Sequence, residues 1–159
     1  WTNECPEEAA KWLRKAAVQS RHKRAQNLLG RMAEEGVLIP RKEREAQLKE
    51  ALGWYRLAAD QGLAEAASHM GRCYEYGLGV ASSASEAVYW YEQAARKDHP
   101  GAQASLGRCF ERGVGVEVNH EEAARLYGCA ARQDHAEGQT RLGQCLASGK
   151  GIQRDEAAA

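Results

Sequence analysis

The sequence predicts an all-α solenoid, an α/α superhelix of helix-turn-helix repeats with a period of 36 residues. Three observations carry that prediction. Met70-Gly71-Arg72-Cys73-Tyr74 recurs as Leu106-Gly107-Arg108-Cys109-Phe110 and as Leu142-Gly143-Gln144-Cys145-Leu146, a step of 36 residues each time. A second block runs Glu50-Ala51, Trp54-Tyr55, Ala58-Ala59 and returns as Glu86-Ala87, Trp90-Tyr91, Ala94-Ala95 and as Glu122-Ala123, Leu126-Tyr127, Ala130-Ala131. A third marker is Gly77-x-Gly79-Val80, repeated at Gly113-x-Gly115-Val116 and Gly149-x-Gly151-Ile152. Three markers in one register define stacked helical hairpins, none of which can bury its apolar stripe alone.

Each element follows from that register. The chain opens on a lone second-type helix, B, near residues 6–18, with Glu8-Ala9, Trp12-Leu13 and Ala16-Ala17 as its markers. First-type helices, A, fall near 23–35, 64–76, 100–112 and 136–148. Ala66, Ala67, Met70, Cys73 and Tyr74 make one apolar face on the second of these. Gly77 stands where a left-handed helix cap belongs, and the Val after each Gly-x-Gly is expected to drop back into the core. Helices B follow near 46–60, 83–97 and 119–132, with Ser82, Ser83, Ser85 or Asn119 as N-cap candidates. Leu29-Gly30-Arg31-Met32 is a weaker copy of the A marker, 41 residues before Gly71. The surplus of about five residues falls in the A-to-B loop around Gly36–Lys42, where chain length costs little. The domain expectation is one repeat domain over 1–159. It divides into a partial repeat 1–20, repeats 21–62, 63–98 and 99–134, and a partial repeat 135–159. Both ends cut through a repeat and there is no initiator Met, so the chain is expected to be a piece of a longer protein.

Composition narrows the function. Twenty-two basic residues balance 22 acidic ones at a pI near 7.1, which disfavours a nucleic-acid or anionic-membrane binder. Abundant Ala with few β-branched residues favours helices over sheets. No apolar run is long enough to insert into a membrane.

The pattern Ala-x3-Leu-Gly-x2-Tyr-x2-Gly-x-Gly-Val followed by Glu-Ala-x2-Trp-Tyr-x2-Ala-Ala resembles the Sel-one-like repeat, a longer-looped relative of the tetratricopeptide repeat. The best copies are Ala66 to Ala95 and Ala102 to Ala131, and the resemblance covers nearly the whole chain. It implies a right-handed superhelix and an adaptor or scaffold role. Two departures stand out. The Gly after helix B is kept at Gly62 but becomes Asp98 and Asp134, and the aromatic closing the A marker weakens to Leu146 and Ala33. The resemblance also leaves open a regulatory repeat domain that positions or activates an enzyme in a larger protein. Cysteine-rich members leave open, with less support, a secreted β-lactam-binding repeat protein.

No catalytic set is visible, and no cofactor is called for. Cys73, Cys109 and Cys145 share one repeat position with Met32, the signature of a buried apolar slot. Equivalent positions in stacked repeats lie about 10 Å apart, too far for a disulfide. Cys129 lies inside a helix B and Cys5 near the start. The odd count and the packing role favour a cytoplasmic setting. His22, His69, His99, His120 and His135 lack the local spacing of a metal site; His99 and His135, one period apart, are expected on one edge. The Gly-x-Gly triplets lack the continuation of a phosphate loop.

One feature exceeds what folding needs. Arg31, Arg72, Arg108 and Gln144 form a column on helix A. Glu34, Glu75, Glu111 and Ala147 form the next, then Glu35, Tyr76, Arg112 and Ser148, with His69, Ser105 and Arg141 preceding. The family resemblance places helix A on the concave face that meets peptide ligands. The expected binding residues are Arg31, His69, Arg72, Glu75, Tyr76, Arg108, Glu111, Arg112, Arg141 and Gln144. Arginine binds carboxylates in a two-pronged fashion and stacks on aromatics. The competing account pairs Arg72 with Glu75 and Arg108 with Glu111 along each helix, worth about 0.2–0.5 kcal/mol a pair. The partner expected is a protein or peptide, with neither nucleic acid nor membrane insertion, and with self-association through the open ends as a further mode.

Overall fold

The structure, a computed structural model, describes residues 6–19, 21–36 and 44–151. The inserted loop from residue 37, Cys5, Ile152 and the final alanine-rich segment lie outside the described residues. Those described form eight helices and no strand: α1 (Pro6–Gln19), α2 (Lys23–Glu34), α3 (Arg44–Asp60), α4 (Ala64–Tyr76), α5 (Ala84–Ala95), α6 (Pro100–Arg112), α7 (His120–Ala131) and α8 (Ala136–Ser148). The 36-residue register therefore locates every helix, because its glycines and caps are the stop signals. The chain groups into two compact units, Trp1–Ser83 and Ala84–Ala159.

In the first unit each helix packs on the next, α1 on α2, α2 on α3 and α3 on α4. Ala17, Ala25 and Leu29 form a buried cluster flanked by Leu13, Ala16 and Trp54. Tyr55 of α3 is fully buried, and its ring lies so close to Gly30 that a Cβ there would stand 2.6 Å from Cδ1. The second unit repeats the arrangement: α5 on α6, α6 on α7 and α7 on α8, with α6 also touching α8. Ala123, Ala124, Tyr127 and Cys145 are its core cluster, with Phe110 and Leu142 against it. Tyr127 lies on Gly107 as Tyr55 lies on Gly30, with a Cβ at Gly107 placed 2.7 Å from Cε1. The Leu-Gly and Trp-Tyr markers are thus two halves of one contact, a glycine on helix A receiving a tyrosine ring from helix B.

The Ala-Ala pairs close helix B. His99 N–H donates to Ala94 O (3.2 Å) and Asp98 N–H to Ala95 O (2.9 Å), and His135 and Asp134 do the same on Ala130 and Ala131. This double bond pattern is a Schellman ending, which needs one left-handed residue. Gly62 (φ 78°), Asp98 (57°), Asp134 (58°) and, at the matching place in the first copy, Arg21 (47°) supply it. Ala58, Ala94 and Ala130 are fully buried; of their following alanines, Ala95 and Ala131 are only partly covered, so the tight position is the first of each pair. Val80 and Val116 are half-buried, not core residues as their motif position implied. The second glycine of each loop has a different reason. Gly79, at φ 72°, lies against the backbone of Leu48 in α3, where a Cβ would come within 2.5 Å, and Gly115 lies likewise on Ala84.

Candidate functional site

Histidine builds the start of three A helices. His22, His99 and His135 are the N-cap residues of α2, α6 and α8, each Nδ1 accepting from the backbone N–H three residues on, at 3.3, 3.1 and 3.3 Å. The edge position expected for His99 and His135 is therefore a capping position, and no group of three or more metal-ligating residues occurs among the described residues. Asn119 caps α7 through Glu122 N–H, as the sequence indicated.

The helix A columns do not simply face water. In the first unit Tyr55 hydroxyl donates to Glu34 Oε2 (2.7 Å), and Arg72 Nη2 donates to both oxygens of Glu34 (2.6 Å each). Arg44 also donates to the Glu34 carbonyl. In the second unit Tyr127 hydroxyl donates to Glu111 Oε2 (2.8 Å), and Arg141 reaches the same oxygen at 3.5 Å. Arg108 meets Glu137 at 3.3 Å. Arg72, Arg108 and Arg141 thus reach across to neighbouring helices, and Arg141 also meets Glu137 on its own helix at 3.9 Å. Where Gln144 replaces the column arginine, Arg141, one turn earlier, takes over the contact with Glu111. These networks anchor the otherwise buried tyrosine hydroxyls, which desolvation and the adjacent carboxylates hold well above the ordinary tyrosine pKa.

The expected site residues separate accordingly. Arg31, His69 and Arg72 come together in a polar depression of the first unit, with Glu34, Glu65 and Arg44. Arg31 also meets Glu35 at 3.9 Å. His69 stacks on Tyr55, ring centroids 4.6 Å apart, and its pKa is lowered to about 4, first by burial and then by the charge of Arg72. Arg108, Glu111 and Arg141 belong to the second unit's network. Glu75 is half-buried, whereas Tyr76, Arg112 and Gln144 are exposed, Tyr76 at 60%. Cys73, Cys109 and Cys145 are buried free thiols, as their shared position requires, and burial pushes Cys73 up to about 12. Cys129 is half-buried and accepts from Arg132 Nη2 at 3.2 Å. This is an i, i+3 pair at the end of α7, and it lies outside the repeated markers.

The comparisons with known proteins agree with this geometry. The Sel1 repeat model matches residues 6–19, 23–63, 64–99, 100–135 and 136–159. The chain belongs to the Sel1 repeat family. Among solved structures, a Sel1 repeat protein from Oxalobacter formigenes superposes with a TM-score of 0.84 at 33% identity, over 96% of this chain and 58% of that one. A protective antigen present in uropathogenic Escherichia coli strains, displaying an SLR fold, also gives 0.84, at 32% identity over 94% of this chain. The Sel1 repeat chain described here spans 58% and 31% of those two lengths. No curated protein sequence matches it. The fold class is the all-α solenoid of Sel1 repeats, whose members are in general protein-interaction scaffolds and typically non-catalytic. No helix among the described residues is long and apolar enough to cross a membrane.

Proposed function

We propose that this Sel1 repeat chain is a non-catalytic interaction scaffold that binds a peptide or protein segment on the helix A faces of its units. The observation that supports this most is the division of labour on those helices. Arg72, Arg108 and Arg141 are engaged in holding neighbouring helices, while Tyr76 and Arg112, at the last turns of α4 and α6, are exposed. An exposed tyrosine and an exposed arginine are the side chains most often found to carry binding energy at interfaces. The test is affinity capture of a partner by the intact chain and by Tyr76→Ala and Arg112→Ala. Both variants keep the wild-type melting temperature. Each loses at least about tenfold in affinity if the face is used. Retained affinity in both moves the binding surface elsewhere.

A second mode has its own observation. Trp12 and Val18 of α1 are 65% and 66% exposed, and Lys15 Nζ lies 5.3 Å from the Trp12 ring. The two stand about 120° apart around the helix, so Trp12 is the anchor through which copies would associate on α1. Sedimentation at rising concentration tests it, with Trp12→Glu expected to abolish any dimer.

A further inference from the structure

In each unit a helix B buries one face on the helix A before it, α3 on α2 and α7 on α6. Ala51, Tyr55 and Ala58 of α3 are buried there, as are Ala123, Tyr127 and Ala130 of α7. Each tyrosine ring covers a glycine, Gly30 or Gly107, and its hydroxyl donates to a glutamate four residues further along helix A, Glu34 or Glu111. Just past helix B a glutamine closes the contact. Gln61 Nε2 donates to Gln26 Oε1 at 2.6 Å, and Gln133 Nε2 to Gln103 Oε1 at 3.0 Å.

Two helices carry one half of this interface each, uncovered. On α1, a helix B, Ala9 is exposed and Leu13 and Ala16 are only half-buried, where their counterparts are buried; Trp12 beside them is 65% exposed. On α8, a helix A, Gly143 and Ala147 are exposed, and nothing among the described residues lies within 4 Å of a Cβ at Gly143. Leu146 is 61% exposed, whereas its counterpart Phe110 packs on the core of the second unit.

The two open halves depart from the internal interfaces, and they depart together. α8 has Ala147 where the glutamate stands, so a tyrosine laid on Gly143 would bury a hydroxyl without that acceptor. α1 has Leu13 where the tyrosine stands, and a leucine brings no hydroxyl. The glutamines are kept on both sides. Gln19 stands three residues after Ala16, as Gln61 and Gln133 stand three after Ala58 and Ala130, and Gln139 holds the place of Gln103. Gln139 Nε2 is turned to Asp134 (3.5 Å) as Gln103 Nε2 is to Asp98 (3.4 Å), which leaves its Oε1 as the acceptor. Both Gln19 and Gln139 are exposed.

We infer that α8 of one copy receives α1 of a second copy as its following helix B, with Leu13 over Gly143 and Ala147, Gln19 donating to Gln139, and Trp12 and Leu146 covered in the same contact. This rests on the association through α1 proposed above and names the surface that α1 meets. The contact joins two different surfaces, so every added copy leaves one α1 and one α8 open, and association runs beyond a pair.

Sedimentation velocity at rising concentration tests this on the intact chain and on two variants, Trp12→Glu and Leu146→Glu. Both side chains are exposed, and circular dichroism checks that each variant is folded. The intact chain is expected to pass from monomer through dimer to larger species. Each variant alone is expected to stay monomeric, since one closes the α1 face and the other the α8 face. Mixed in equal amounts they should form dimers and nothing larger, because one open face of each kind remains. A Leu146→Glu variant that associates as the parent does would overturn the inference and leave association through α1 standing; so would a mixture without dimers. If either variant fails to fold, the parent decides, since a series that stops at the dimer contradicts the head-to-tail contact. A parent that remains monomeric throughout overturns association through α1 itself.

Discussion

Gly107 and Gly143 occupy the same position of the repeat, yet alanine should have opposite effects at the two. At Gly107 a Cβ would lie 2.7, 3.0 and 3.2 Å from Cε1, Cδ1 and Cζ of Tyr127. Comfortable carbon contacts begin near ~3.5 Å, so the ring must retreat by several tenths of an ångström. It has no room to do so: Tyr127 is fully buried, and its hydroxyl is held by Glu111 at 2.8 Å. Overpacking a filled core costs about 1–3 kcal/mol, and loosening a hydrogen bond to a carboxylate adds part of a further ~1.5–3 kcal/mol. Better helix propensity returns about 0.5–1 kcal/mol. The net expectation for Gly107→Ala is a loss of about 2 kcal/mol. At Gly143 nothing among the described residues lies within 4 Å of the added Cβ, so among them only the propensity gain of about 0.5–1 kcal/mol remains. Urea unfolding followed by far-ultraviolet circular dichroism measures both. A Gly107→Ala variant as stable as the parent, or a Gly143→Ala variant that loses as much as Gly107→Ala, would refute the tyrosine-on-glycine packing.

Further outcomes follow from the same structure. Ala94 is fully buried and its carbonyl receives His99 N–H, so Ala94→Leu should lower stability by about 1–3 kcal/mol in urea titration; no change would mean that the buried face of α5 is wrongly placed. His99→Ala removes the α6 cap and should cost about 1 kcal/mol, with His99→Asn restoring most of it. Burial lowers the His69 pKa to about 4 from 6.5, so as pH falls the unfolded chain takes the proton first. That residue's contribution is intact above pH 6.5 and is lost progressively down to about pH 4, an effect on the order of 3 kcal/mol that His69→Phe should abolish in pH-dependent melts. A thiol reagent should label Cys129 in the native protein and reach Cys73, Cys109 and Cys145 only with denaturant; mass spectrometry after limited labelling reads this, and native labelling of the buried three would contradict their packing.

Periodicity made the helices legible. The Gly77, Gly113 and Gly149 stop signals and the Ala-Ala endings are local chemistry, so one strand of text fixes them to within two residues at each end. The shared Cys position was legible for the same reason: one slot, one environment. The ion pairs were not. Pairs along a helix can be counted from sequence, but Arg72 with Glu34 and Arg108 with Glu137 depend on which helix lies alongside and at what height. Histidine as an N-cap was hidden too, since Ser, Thr, Asp and Asn are the usual signals. The cue was present in hindsight: His22, His99 and His135 each follow the left-handed residue and stand one place before an A helix. The candidate site divides along the same line. Its columns follow from the period, but which members stay exposed, Tyr76 and Arg112 among them, depends on what packs around them.

The central claim is that partners bind on the A helices and not on the B helices. Hydrogen–deuterium exchange of the intact chain, with and without a captured partner, tests it most directly. The account predicts slowed exchange in α4 and α6, strongest around His69–Tyr76 and Arg108–Arg112, with α3, α5 and α7 unchanged. Protection confined to α3, α5 and α7, with α4 and α6 unaffected, would contradict it.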